Sequence, residues 1–169
     1  MKRSLFILPA LAVALAALTV AVAPLSPARA AATQVTYAAS GAYAPTYSCV
    51  GEPCVLTVTG YQFTGDLSCA SCTPSAGSFS TGLTITKFYP PNPCRAKVID
   101  GTLSVVWNDS STSTATLSGH WQDSKAIVLT GTWTGGTRLY PPAPIKLLLH
   151  PPSPCNPGAF DGTLVFSPT

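Results

Sequence analysis

An all-β domain is what this sequence predicts, on three observations. Apolar and polar residues alternate with period two through residues 31–169, with no helical spacing. About a quarter of those residues are Ser or Thr and about a fifth are Pro or Gly, yet the Val, Ile, Leu and aromatic content is that of a chain that folds. Six cysteines, an even number, are available as braces. The expected architecture is an antiparallel β-sandwich of about eight or nine short strands, with a closed antiparallel β-barrel as the alternative.

The first thirty residues stand apart. A basic start (Lys2, Arg3), an apolar run from Leu5 to Leu25 and the small-x-small ending Ala28-Arg29-Ala30 form a secretory signal, with cleavage expected after Ala30. An uncleaved anchor is the alternative, because the run nearly reaches bilayer-spanning length. Residues 31–169 then form one domain, with no membrane attachment after cleavage. Three of the nine Lys and Arg residues belong to the signal. The remaining six (Lys87, Arg95, Lys97, Lys125, Arg138, Lys146) face six acids (Glu52, Asp66, Asp100, Asp109, Asp123, Asp161), so the exported chain is near neutral. Nucleic-acid binding needs clustered cations and is not expected.

Strands are expected at Gln34–Ala38, Val55–Phe63 and Ser78–Tyr89, and then in a three-stranded meander. Leu103, Val105 and Trp107 share one face of its first strand. Ala115, Leu117 and Trp121 share a face of the second, and Ile127, Leu129 and Trp133 of the third. The opposite faces are rich in Thr and Ser, as in a sheet with one side in water. Two further strands, Ile145–His150 and Thr163–Ser167, close the chain.

A phrase occurs twice. "PPNPCRAKVIDGTL" begins at Pro90 and "PPSPCNPGAFDGTL" at Pro151, an offset of 61 residues that also lays Phe88 over Leu149 and Tyr89 over His150. Two prolines end a strand, a Cys follows, and Asp-Gly is a strong turn dipeptide before Thr-Leu opens a new strand. The phrase reads as a diverged internal duplication that serves as a brace, with one copy expected in each sheet. Asp100 and Asp161 are expected to cap turns.

Cys49, Cys54, Cys69, Cys72, Cys94 and Cys155 are expected to form disulfides in an oxidising compartment. Cys69-Ala-Ser-Cys72 lacks the helix of a redox motif and the second pair of a zinc site. Cys49–Cys54 is a plausible bridge across a turn-like segment, and the remaining pairings stay open.

The meander from Asp100 to Gly136 and the closing "PCNPGAFDGTLVF" resemble a loose group of small exported actinobacterial proteins. These have Thr- and Gly-rich strands, a W-x-D-x-S-T-S-T hairpin (here Trp107 to Thr114) and a late Cys before the last strand. The resemblance covers the C-terminal half and implies only an exported all-β protein.

Titratable groups are sparse, so an enzyme is not expected. Ser118, His120 and Asp123 are the nearest approach to a triad. No cofactor and no metal are implied. Trp107 and Trp133 should lie at the same end of the sheet, with Trp121 at the other. Together with Tyr140 they are the candidate ligand-binding residues, as platforms for sugar rings; Tyr61 and Tyr89 are further aromatic candidates. The expectation is a monomeric, non-catalytic extracellular or cell-wall module binding polysaccharide. The alternative is an inhibitor or protein-partner module presenting a disulfide-braced Pro loop, Tyr89–Cys94 or His150–Cys155.

Overall fold

The computed structural model describes residues 33–168, apart from 51, 91, 124, 139 and 141–143. The expected signal peptide lies outside them. Eight strands follow in order: β1 Val35–Val50, β2 Val55–Ser68, β3 Ala76–Tyr89, β4 Asn92–Trp107, β5 Thr112–Gln122, β6 Ala126–Gly135, β7 Pro144–His150 and β8 Gly158–Phe166. Each pairs antiparallel with its successor, and β1 pairs with β8 from Val35↔Phe166 to Tyr43↔Gly158. The sheet therefore closes on itself. The fold is the closed antiparallel barrel expected as the alternative, not the preferred sandwich, and strands β1–β4 run to 14–16 residues rather than the short strands expected.

The alternation places the interior as anticipated. Leu103, Val105 and Trp107 of β4, Ala115, Leu117 and Trp121 of β5, and Ile127, Leu129 and Trp133 of β6 are all buried. Aromatic rings from other strands complete the filling, among them Tyr43, Tyr61, Phe63 and Phe160, with Phe63 and Phe160 meeting edge to face at 5.0 Å. An eight-stranded barrel is just wide enough to be filled by side chains, and this one is filled.

Closure depends on glycine. Gly101 and Gly119 occupy inward positions of β4 and β5, each in register with larger residues: Gly101 with Leu83 and Leu117, Gly119 with Ile99 and Leu129. A Cβ on Gly101 would stand 2.1 Å from the Gly82 carbonyl oxygen, and one on Gly119 1.9 Å from that of Val128. The neighbouring backbone occupies the space a side chain would need, which lets the strands coil sharply while large neighbours fill the interior. The Asp-Gly dipeptides are thus corrected: Asp100-Gly101 and Asp161-Gly162 lie inside β4 and β8, not in turns.

The two proline phrases lead into β4 and β8, four strands apart in an eight-stranded ring, hence on opposite walls. Their cysteines, Cys94 and Cys155, bond to each other across one end of the barrel. Cys49–Cys54 closes the β1–β2 hairpin, and Cys69–Cys72 lies in the β2–β3 connection. Three disulfides suit an oxidising, extracellular type of environment.

Two stability measurements test this account. In the chain-entropy treatment the Cys94–Cys155 bridge, 61 residues apart, contributes about 4 kcal/mol, and the three-residue Cys69–Cys72 span under about 2 kcal/mol. Denaturant titration of Cys94→Ala/Cys155→Ala should show the larger loss, and equal losses for the two pairs would contradict it. Gly119→Ala should cost about 1–3 kcal/mol in the same titration, because the carbonyl it meets belongs to a paired strand and cannot yield.

Candidate functional site

The barrel has two ends. At the end where β4 and β6 finish, Trp107 and Trp133 lie together as anticipated, but they are only 2% and 6% exposed. Tyr140, half-buried, stands 5.2 Å from the Trp133 ring and 6.1 Å from Trp107, and Phe166 lies 4.8 Å from Tyr140. Stacking on a sugar needs an open ring face, and these faces are taken by one another. The expected pair of tryptophan platforms is therefore corrected to an aromatic plug.

Hydrogen bonds fix the plug. Trp107 Nε1 donates to Ser113 Oγ at 2.9 Å, and the Ser113 hydroxyl donates to the Arg138 carbonyl at 3.0 Å. Tyr37 donates its hydroxyl to the Pro74 carbonyl at 2.7 Å, tying in the loop that holds Cys69–Cys72. At the rim, the Arg138 guanidinium pairs with Asp109 and with Ser111 Oγ. Hydrogen bonds from the Ser111 side chain and backbone, then from Arg138, hold the Asp109 carboxyl down at about 2. Burial raises the Tyr140 hydroxyl above its ordinary value, against the pull of Arg138.

Catalytic groupings are absent among the described residues. Ser118 and His120 share the outer face of β5, and Asp123 lies in the turn after it, but no hydrogen bond joins the three. The close pair is one that the alternation did not suggest: His150 Nδ1 lies 2.8 Å from Asp161 Oδ1, brought together by the β7–β8 register. His150 is exposed, and among the described residues no hydroxyl is hydrogen-bonded to the pair. No group of three His, Cys, Asp or Glu side chains among the described residues is placed to hold a metal.

The other end is closed differently. Beyond Gly60↔Thr84, β3 parts from β2, and before Ile99 β4 has no pairing with β5. The β3–β4 hairpin carries register shifts at Ile85, Lys87 and Phe88, and shifts of this kind bend a hairpin. It turns Cys94 and Ala96 inward, and both are buried. The Tyr61 hydroxyl donates to the Cys94 carbonyl, Tyr43 to that of Pro154 at 2.9 Å, and Tyr47 to that of Cys155. Three tyrosines of β1 and β2 and one disulfide thus hold the proline phrases against the barrel. Tyr61 is buried and Tyr89 lies under the Arg95 guanidinium at 4.8 Å, so neither offers a free platform.

The tip of the β1–β2 hairpin runs past this closure, to which Tyr47 ties it through the Cys155 carbonyl, while Val58 of the same hairpin is buried in the core. Past Tyr43 and before Gly60 its strands pair only with each other. An extra residue in β2, Thr59, breaks the register opposite Thr46/Tyr47, and Cys49–Cys54 clamps the tip. Tyr47, Val55 and Leu56 are 46%, 62% and 70% exposed, three of the four large exposed hydrophobics among the described residues. Lys87 and Lys97 are exposed on the β3–β4 hairpin. Scattered apolar residues on a surface need no explanation, whereas a cluster rimmed by polar groups marks an interaction site. A sequence signal that could have pointed here is the consecutive pair Val55-Leu56, which breaks the alternation.

Burial pushes the Tyr37 and Tyr61 hydroxyls up to about 12. An unfolded tyrosine gives up its proton near pH 10, so between pH about 10 and about 12 the unfolded state binds fewer protons and stability falls as pH rises. Denaturant titrations at pH 9 and pH 11.5 should show this drop, with a smaller drop in Tyr61→Phe despite its lost hydrogen bond. A flat profile up to pH 12 would show that these hydroxyls are not held as described. No protein family, no curated protein and no solved structure matches the chain.

Proposed function

We propose that the chain is an exported, non-catalytic module that binds a protein partner through the end of the barrel carrying Cys94. One observation carries the reading: a disulfide-clamped hairpin continues past the β2–β3 pairing with Tyr47, Val55 and Leu56 exposed at 46%, 62% and 70%. A rigid support loses little conformational freedom on binding, which favours affinity. The signal-like N-terminus and the three disulfides agree with export into an oxidising compartment. The presented loop differs from the one the sequence suggested. Pro151 is buried and Cys155 half-buried, so the second proline phrase closes the barrel, and the β1–β2 hairpin is the element offered to a partner.

Polysaccharide binding is a second reading, favoured by the outer wall. Asp100, Ser118 and Thr130 lie in register across β4, β5 and β6, with Thr102, Thr116 and Thr132 in the next row. Asp100, Thr116, Ser118 and Thr130 line a shallow groove there. Such groups match sugar hydroxyls, but the aromatic face that grips a sugar ring is missing from this wall.

The two readings separate on one pair of variants. Oxidised residues 31–169 should be cross-linked to extracellular proteins and, in parallel, applied to insoluble cell wall, chitin and cellulose. Leu56→Asp, at an exposed position, should abolish saturable cross-linking to a specific protein and leave the fold intact by circular dichroism. Retention on a polysaccharide that survives Leu56→Asp and disappears in Thr116→Val/Thr130→Val would replace the first reading by the second.

A further inference from the structure

Among the described residues, the edge of β2 that faces β3 has no strand pairing along part of its length. Pairing with β3 begins at Gly60↔Thr84, whereas β2 itself begins at Val55. On the opposite edge Val55–Val58 pair with β1 as far as Val50↔Val55, and Thr59 is the extra residue of the bulge. Val55–Thr59 therefore presents a row of backbone donors and acceptors on one side only. Proteins usually guard such an edge with Lys, Pro or a covering loop, because it templates pairing with another chain. This segment reads Val-Leu-Thr-Val-Thr, uncharged, without proline and rich in β-branched residues. Cys49–Cys54 holds it extended without a partner.

We infer that the partner docks by strand addition: an extended segment of alternating apolar and acidic residues pairs with the free edge of β2 from Val55 to Thr59. The inference rests on the binding role proposed for this end of the barrel and names how that end is used. Main-chain bonds supply affinity in this mode, and alternate side chains supply specificity. Val55 and Leu56 lie on opposite faces of the hairpin and offer apolar contact on both. The acidic character follows from the cations on the strands beyond the point where β3 leaves β2. β3, having left β2, carries exposed Lys87, and β4 beside it carries exposed Lys97 and half-buried Arg95 stacked on Tyr89. Glu52, at the hairpin turn, is the carboxylate on the other side. The same charges argue against a second copy of this chain as the occupant. Two β2 edges pairing antiparallel would bring two cationic rims together, and like charges disfavour the pairing.

The test uses a labelled ten-residue peptide alternating Val or Thr with Glu, its Lys-for-Glu counterpart, and an acidic version N-methylated at alternate residues so that one edge cannot form a ladder. Fluorescence anisotropy with oxidised residues 31–169 should show binding of the acidic peptide alone. Lys87→Glu/Lys97→Glu, both at exposed positions, should weaken it roughly tenfold or more, and added salt should weaken it as well. Amide exchange should slow within Val55–Thr59 on binding. Equal binding of the N-methylated peptide, no binding of the acidic one, or protection appearing elsewhere would overturn strand addition. So would concentration-dependent dimerisation through this edge in sedimentation. If Leu56→Asp still abolishes cross-linking to a protein partner while the peptide fails, the binding role of this end stands and only the mode falls.

Discussion

Glycine at inward positions is the constraint on which the rest of the molecule depends. Gly41, Gly65, Gly101, Gly119, Gly131 and Gly162 each stand where a Cβ would lie within 2.2 Å of a carbonyl oxygen on a neighbouring strand. No other residue fits such a close approach. With the backbones drawn together at these points, long strands coil enough to close after eight. The space beside each glycine is taken by its cross-strand neighbours, as Leu83 and Leu117 flank Gly101 and Leu149 flanks Gly162. Filling follows from closure: the described interior is packed with Tyr, Trp, Phe and Leu side chains.

The ends are closed by different chemistry. One is a plug of rings, Tyr37, Trp107, Trp133, Tyr140 and Phe166, with Ser113 accepting the Trp107 N–H in its depth and the Arg138–Asp109 pair at its rim. The other is held by tyrosine hydroxyls that donate to the backbone carbonyls of Cys94, Pro154 and Cys155. A tyrosine suits this work because its ring belongs to the interior while its hydroxyl reaches the edge. Burial raises the Tyr43 and Tyr61 hydroxyls above their ordinary value, and protonated they are donors. Beyond the β2–β3 pairing, the β1–β2 hairpin keeps Tyr47 and Val58 in the closure and core and leaves Val55 and Leu56 exposed.

Much of the interior was legible because alternation is a local property. The faces assigned to Leu103, Val105, Trp107, Ala115, Leu117, Trp121, Ile127, Leu129 and Trp133 are the faces the barrel buries. The placement of Trp107 and Trp133 at one end followed from strand direction alone. Their burial did not, because it depends on Tyr140 and Phe166 arriving from other parts of the chain. Asp100-Gly101 and Asp161-Gly162 were misread for a related reason. The same dipeptide serves a tight turn or a close approach between strands, and only the carbonyl opposite decides which. Val55-Leu56 broke the alternation, but its exposure depends on where β3 leaves β2.

The sequence by itself determined an all-β chain, the inward face of its central strands, cysteines suited to an oxidising compartment and the poverty of catalytic groups. These follow from residue type and period two, which act within a strand. Tertiary structure alone decided barrel over sandwich, the bond between the two proline phrases, the sealing of the tryptophans and the free edge at Val55–Thr59. Each of these is set by register and closure among strands far apart in the chain, and period two is the same in an open sheet and a closed one.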